Sequence, residues 1–305
     1  MLLFIIKRIL QAIPTLFFVA TLTFFLMRLA PGGPFDSEKK VPAQILKQLN
    51  EKYHLNDPLY KQYADYMVGI LHGDFGPSFK YPGRTVYEII ASGFPVTFEL
   101  GFYALCVAIF IGISSGVFAA LKPNTVYDYL PMSMSMIGIC VPALLLGPLL
   151  MLIFGIVFKI LPVSGWNTWT AKILPPLTLG FAYSAYIARL SRSGMLEILG
   201  QDYIRTARAK GVKEWKIIVK HALRGGLTPV VSFMGPAIAG LLTGSFVVEQ
   251  VFNIPGIGKS FVQSSFNRDY TMIMGTTVFF AALLILCNLI SDIIQVILNP
   301  RLTYK

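Results

Sequence analysis

Few residues in this 305-residue chain are spaced to do covalent chemistry. Asn253-Ile-Pro-Gly-Ile-Gly-Lys-Ser260 approaches the glycine-rich loop that cradles phosphates, but it misses by one residue, with Asn253 where the first glycine belongs. It also follows an apolar run rather than a strand, so we read no nucleotide site there. Gly112-Ile-Ser114-Ser-Gly116 has the spacing of a serine nucleophile, yet it lies inside an apolar run without the strand-to-helix elbow that exposes such a serine. His54, His72 and His221 all fall outside the apolar runs, so no base accompanies it. Asp74-Phe-Gly76 stands without any other kinase element. Cys106, Cys140 and Cys287 are isolated within apolar runs, which suits packing rather than a disulfide or a metal. With no nucleophile, metal or acid–base constellation, the expectation is a non-catalytic chain with no catalytic residue, no metal and no bound cofactor.

The chemistry that the sequence does offer is electrostatic. Asp202 to Pro229 is the longest basic tract, with Lys or Arg at 205, 208, 210, 213, 216, 220 and 224 against only Asp202 and Glu214. Gly211 suits the left-handed residue that ends a helix. Beyond it, Lys213, Lys216, Lys220 and Arg224 fall within about 80° of arc on a helix, with Trp215, Ile218, Val219 and Ala222 opposite. This predicts two short helices joined at Gly211, the second a basic amphipathic helix at a surface. Periodicity alone leaves open whether that surface meets lipid headgroups or a protein.

The elements that position this tract are membrane spans. At 55% hydrophobic and 13% charged, with mean hydropathy +0.64, the chain is too apolar for a soluble domain of its length. Residues 1–29 are read as an N-terminal end and first span, whose apolar run 9–27 is long enough for a core of ~30 Å. No small-residue cleavage site follows it, so the expectation is an uncleaved span. Residues 30–96 balance seven basic against seven acidic residues and read as a small extramembrane lobe, with helices near 42–53 and 59–71. Further spans are expected at about 98–121, 130–158, 173–190, 229–251 and 271–298, the third kinked or broken by Pro142 and Pro148. The central loop is then 191–228 and the tail 299–305. Six spans put both ends on one side; that side carries 14 Lys and Arg near the spans, against four in the short loops opposite. The charge bias makes both termini and the basic tract cytoplasmic, and the lobe and the 252–270 loop external. It also accounts for the net charge of +11 without nucleic acid, for which no motif is present.

The interiors 100–120, 132–157 and 230–248 hold no ionisable residue, and 272–291 has none before Asp292. Proton-coupled carriers need intramembrane carboxylates or histidines, so the energy for any transport is expected to enter from outside the chain, although a carrier binding Na⁺ through backbone carbonyls escapes this argument. Gly112-x₃-Gly116 and Gly240-x₃-Gly244 are small-residue faces for helix packing, a subunit interface or a substrate path, three readings that spacing does not separate.

Ala207-x₃-Gly211, the basic helix and His221-Ala-Leu223 resemble the cytoplasmic coupling loop of ABC-importer permeases. That family's pattern is Glu-Ala-Ala, three residues, Gly, nine residues, Ile-x-Leu-Pro. Aligned on Gly211, Ala207 and Leu223 match, with Arg208, Ala209 and Lys210 between Ala207 and Gly211; Arg205 and Thr206 stand at the Glu and first Ala, His221 at the Ile, and Arg224 at the Pro. The form RTARAKG resembles the variant of the peptide-transporting branch. FFLMRLAPGGPF (24–35), KYHLNDPLYKQY (52–63) and HGDFGPSFKY (72–81) resemble the N-terminal half of that branch's oligopeptide permeases. VVEQVFNIPGIGKSFVQSSFNRDY (247–270) resembles the family's last outer loop, with Pro255, Gly256, Gly258, Arg268, Asp269 and Tyr270 as its motif residues.

The resemblance implies an all-α polytopic membrane protein of six transmembrane helices, with the type I ABC importer permease fold over 97–298, in a bacterial cytoplasmic membrane. It implies ATP-driven oligopeptide import by alternating access. The implied partners are a second homologous permease, two ATPase subunits that hold ATP-Mg and dock on 202–224, and an extracytoplasmic peptide-binding protein. Alternatives are a dipeptide, glutathione or nickel permease of the same branch and, more distantly, an ion-coupled secondary transporter.

Overall fold

A computed structural model describes residues 2–30, 32–35, 43–243 and 245–298. In chain order the helices are α1 (Leu2–Leu29), α2 (Ala43–Lys52), α3 (Leu59–Leu71), α4 (Val86–Leu121), α5 (Val126–Cys140), α6 (Ala143–Leu150) and α7 (Leu174–Leu199). There follow α8 (Asp202–Ala209), α9 (Glu214–Lys216), α10 (Leu223–Gly226), α11 (Thr228–Thr243), α12 (Phe246–Val251), α13 (Ile257–Asn267) and α14 (Tyr270–Leu298). Two π-helical stretches, Met151–Val157 and Ile217–Ala222, interrupt this order. Among the described residues the only extended pairing is an isolated bridge, Pro77 to Thr85. Gly244 and the 299–305 tail lie outside the described residues, as does Pro42 at the expected start of the first lobe helix.

The described residues form two compact units, one running to Thr97 and including Pro255–Leu286, the other Phe98–Ile254 with the chain from Cys287 on. In the first unit α1 buries only 11% of its apolar window, as a helix facing lipid does. Its C-terminal end is covered by α3. Phe24 stacks on Tyr66 (ring centroids 5.5 Å apart), Phe25 stacks on Tyr63 (5.6 Å), and the Tyr63 and Thr21 hydroxyls share a 2.8 Å hydrogen bond. The membrane helix α4 begins at Val86 rather than near 98, because Thr85 and Glu88 close a capping box. The Thr85 N–H donates to Glu88 Oε2 (3.1 Å) and the Glu88 N–H to Thr85 Oγ1 (3.2 Å). Thr-x-x-Glu before an apolar run is visible in the sequence and marks this start.

In the second unit the expected third span, 130–158, is not one helix. It starts at Val126 and is bent by 109° between Cys140 and Ala143. Val141 is driven extended (φ −92°, ψ 112°) by the proline after it, and Pro142 offers no N–H to continue the ladder. Four helices among the described residues are long and apolar enough to cross a membrane, namely Ile6–Leu29, Val86–Leu121, Thr228–Val251 and Tyr270–Ile294, and the bent pair makes a fifth. The remaining expected span, 173–190, falls on α7, which is less apolar than these and largely enclosed by protein. Thr178, Gly180, Ser184, Ala188, Ser191 and Gly194 are buried along it, and small residues let neighbouring backbones approach. Gly112 and Gly116 of α4 lie against α7: a Cβ on Gly112 would stand 2.6 Å from Ile187 Cβ, and one on Gly116 2.6 Å from Ser191 Cβ. Gly240 meets the Tyr183 hydroxyl in the same way. These glycines are therefore spent on packing within the chain.

Candidate functional site

The basic tract folds as a helix–turn–helix continuous with α7. Gln201, extended, receives the Ile204 and Arg205 N–H groups on its carbonyl and starts α8. The helix ends at Gly211, whose φ of +73° is left-handed. The Gly211 N–H donates to Arg208 O (2.9 Å) and the Val212 N–H to Ala207 O (3.2 Å), the paired bonds of a Schellman turn. A Cβ at Gly211 would touch nothing within 4 Å, so only the backbone conformation demands glycine. Across the turn Arg208 grips Glu214 with two hydrogen bonds, Nε to Oε1 at 2.7 Å and Nη2 to Oε2 at 3.4 Å.

The second helix differs from the expected 100° wheel. Residues 217–222 are π-helical, and the wider turn sets Ile217 and Ala222, five apart, on the buried face. Ile218 is half-buried, and Trp215 and Val219, expected on the apolar side, are 60% and 58% exposed. Ile217 is the anchor that the wheel did not identify. With Ile204, Ala222, Met195 of α7 and Ala120 of α4 it forms a buried cluster, against which Ala207, Val212 and Leu223 pack. Arg205, Thr206, Arg208, Ala209, Lys210, Gly211, Lys213, Trp215, Lys216 and Lys220 are exposed; Ala207, His221 and Leu223 are half-buried. The arrangement is a cationic outer face carrying an exposed Trp215, mounted on a hydrophobic root shared with two membrane helices.

Two further features lock that root. Gly226 of α10 lies on Met195 with a would-be Cβ 3.1 Å from its Cα, and Gly194 of α7 lies against the Gly226 carbonyl, so the two backbones are in contact. Asp128, 1% exposed in the first turn of α5, accepts two hydrogen bonds from Arg192 of α7, each 2.6 Å, and one from the Asn124 N–H at 2.9 Å. Asp128 was not anticipated, and Arg192 was read only as part of the charge bias. The lone carboxylate ahead of the third apolar run was the available signal.

In the first unit the outer-loop motif residues are structural. Gly256 and Gly258 are buried and Pro255 is exposed. The Ile257 N–H donates to Thr97 Oγ1 (2.9 Å), and Gly93 of α4 lies so close that a Cβ would stand 2.9 Å from the Ile257 nitrogen. Arg268 is left-handed (φ +57°) at the end of α13, with its guanidinium against Gly32. The Tyr270 hydroxyl donates to Gly32 O (2.6 Å). Asp269 is fully buried and caps α14. It accepts from the Ser78 hydroxyl (2.5 Å), the Thr271 hydroxyl (3.0 Å) and the N–H groups of Phe79 (3.2 Å), Lys80 (3.4 Å) and Met272 (3.2 Å). Removing the carboxylate strands several buried donors, so Asp269→Ala is expected to cost about 3 kcal/mol or more. Thermal melting in detergent and proteolysis within 72–85 test this; unchanged melting and unchanged cleavage would contradict it. The near-phosphate loop at 253–260 is a left-handed Asn253 leading into α13.

Among the described residues no group of three or more His, Cys, Asp or Glu is placed to hold a metal ion. Two acidic side chains at the edges of the expected spans, Glu99 and Glu249, are engaged. Glu99 accepts from Lys172 Nζ (2.6 Å), Trp166 Nε1 (2.8 Å) and the Tyr103 hydroxyl (3.0 Å). Glu249, fully buried in α12, accepts from the Ser245 hydroxyl at 2.7 Å.

Comparison with known proteins matches residues 108–304 to the family described as binding-protein-dependent transport system inner membrane component. Residues 1–101 match the N-terminal region of such membrane components. The chain is 48% identical over 306 residues, all of both chains, to the oligopeptide transport system permease protein OppB of Haemophilus influenzae. It is 45% identical over 299 residues, 98% of this chain and 97% of the other, to the dipeptide transport system permease protein DppB of Bacillus subtilis. Inward-facing structures of the MetNI methionine ABC transporter superpose with TM-score 0.58 at 20% identity, over 70% of this chain and 97% of theirs. At that identity they speak to the fold alone.

Proposed function

The chain belongs to the family of binding-protein-dependent transport system inner membrane components, and from that membership we propose that it is the permease subunit of an ATP-driven importer of oligopeptides. The observation that carries this reading is full-length identity of 48% to an oligopeptide permease, with the dipeptide permeases as the alternative within the branch. The chain lies in the inner membrane, with both termini and the 200–227 segment cytoplasmic, as the Lys and Arg distribution favours. It works with a second homologous permease, two ATPase subunits and an extracytoplasmic peptide-binding protein. The chain itself hydrolyses nothing and holds no cofactor; ATP-Mg is bound by the ATPases.

The geometry supports a mechanical account. ATPase closure displaces the cationic face of α8–α10, whose exposed Trp215, Lys213, Lys216 and Lys220 offer a docking surface. Because Ile204, Ile217 and Ala222 share one buried cluster with Met195 of α7 and Ala120 of α4, the push moves two membrane helices together and switches the passage between its inward and outward openings. Packed clusters transmit displacement because they are dense and do not deform continuously.

Uptake of a labelled oligopeptide into proteoliposomes tests the assignment. The chain is reconstituted alone and then with all its partners. Uptake only with the full set and ATP is expected; ion-driven uptake by the chain alone would overturn it, and exchanging the labelled substrate for a dipeptide decides between the two substrate classes. Reversing charge at Lys213, Lys216 and Lys220 is expected to reduce ATPase co-purification severalfold. Unchanged co-purification would leave that face as a lipid-facing surface only.

A further inference from the structure

Along its whole length α7 exposes only Tyr186, Arg189, Ser193 and Glu197. At 100° per residue these fall within about 80° of arc, one narrow stripe on a helix otherwise buried or half-buried. The neighbouring α11 exposes Thr228, Ser232 and Pro236, again on one stripe. The two helices touch, with the Tyr186 ring 5.8 Å from that of Phe233. Neither stripe carries Leu, Ile, Val or Phe. Other helices of the same unit expose the opposite kind of surface: Phe98, Phe102, Phe110 and Phe118 on α4, and Leu144, Leu145 and Leu149 on α6. Those faces suit lipid tails; the α7–α11 face does not.

The stripe also runs deep. At 1.5 Å per residue Tyr186 and Arg189 lie about 18 and 22 Å along α7 from Leu174, inside a hydrocarbon core of ~30 Å. A cation at that depth faces the bundle interior or a water-filled cavity. An arginine near a helix end otherwise escapes lipid by snorkelling toward the headgroups. Arg189 turns the other way: its guanidinium lies over the Tyr186 ring, 5.2 Å from the centroid, toward the helix middle and away from the nearer, C-terminal end. Among the described residues it has no carboxylate partner, since Asp128 is taken by Arg192. Glu197 stands about 12 Å further along the axis, out of reach. A protein neighbour sealed over this face would bury an unpaired charge, whereas a wet passage keeps it solvated.

We propose that the α7–α11 face is this chain's wall of the substrate passage, and that Arg189 is a specificity-determining residue there, drawing the carboxylates of a peptide in transit past the Tyr186 ring. The identity of the ligand rests on the peptide-importer reading; the aqueous character of the face does not.

Two measurements on the complete assembly test this. The first replaces Cys106, Cys140 and Cys287 by alanine, adds Tyr186→Cys or Phe110→Cys, and follows labelling by an anionic methanethiosulfonate in nanodiscs, with and without ATP. Phe110 is 75% exposed against 41% for Tyr186, so lipid alone would leave both thiols protected. Labelling of Tyr186→Cys about tenfold or more faster in at least one state is expected, because ionic reagents reach only wetted thiols. Equal rates in both states would show the face covered by the second permease and overturn the proposal. The second keeps the native cysteines and compares proteoliposome uptake of Ala-Glu-Ala and Ala-Lys-Ala with saturating binding protein. Arg189→Gln should lower the ratio of the two about threefold or more, and Arg189→Lys should restore it, because a fixed cation concentrates anions beside it. The binding protein's own preference cancels between variants. A ratio unchanged by glutamine, or not restored by lysine, would remove Arg189 from the passage. Absence of ATP-driven uptake by the unaltered assembly would sink the importer reading alone, and the labelling rates would still decide whether the face is wet.

Discussion

Gly211→Val should leave the protein inserted at normal abundance while ATP-driven uptake falls by about tenfold or more and ATP hydrolysis continues. The turn between α8 and the second helix needs φ of +73°, which a β-branched residue adopts only at a cost of about 1–2 kcal/mol. No atom lies within 4 Å of the added Cβ, so the substitution does not disrupt the core and acts through the angle between the two helices. That angle sets how the cationic face meets a partner. Asparagine tolerates the left-handed region, so Gly211→Asn should keep most of the uptake. Paired measurements of hydrolysis and uptake in proteoliposomes check this. Full uptake by the valine variant at equal abundance would contradict the coupling role.

Asp128→Ala should be among the most destabilising single changes in the second unit. The carboxylate is 1% exposed and takes both 2.6 Å bonds from Arg192, so its loss leaves a guanidinium unpaired between α5 and α7. Breaking a buried pair costs about 3–5 kcal/mol. The Arg192 side chain keeps 29% exposure, which places the expectation near 3 kcal/mol. Adding Arg192→Leu removes the stranded charge and should restore part of the loss. Melting of the four members of the cycle measures the coupling. Simple additivity of the two single changes would show that the pair does not hold these helices together. A second readout follows from position, because Arg192 is one turn from Met195, which the 200–227 segment packs against. A pair that also braces the coupling root predicts uptake loss in excess of the loss of folded protein.

What was legible in the sequence is what neighbouring residues decide among themselves. The two helices either side of Gly211 follow from local periodicity and one glycine, and the lobe helices Ala43–Lys52 and Leu59–Leu71 lie within the expected 42–53 and 59–71. The start of α4 was equally local, written in Thr85 and Glu88 and overlooked because the apolar run was given more weight than its cap. The basic face of the 202–224 segment was legible because exposed charges need no partner to define them.

The buried side of the same segment was decided only by the fold. A 100° wheel put Trp215 and Val219 inward; the π-helical stretch at 217–222 instead buries Ile217 with Ala222, because packing against Met195 and Ala120 outweighs the poorer hydrogen-bond geometry of the wider turn. Span count and break angle show the same division. Pro142 announced a break, but the 109° bend depends on what α5 and α6 pack against, and α7 reads as only moderately apolar because its neighbours are protein rather than lipid. The polar anchors are the least legible of all. Asp128 meets Arg192 across 64 residues and Asp269 meets Ser78 across 191, and no local pattern encodes a partner that far away. The sequence by itself determined the membrane class, the family and the location of the cationic surface. The tertiary structure decided which residues root that surface in the membrane helices, because burial is a property of contacts between distant segments.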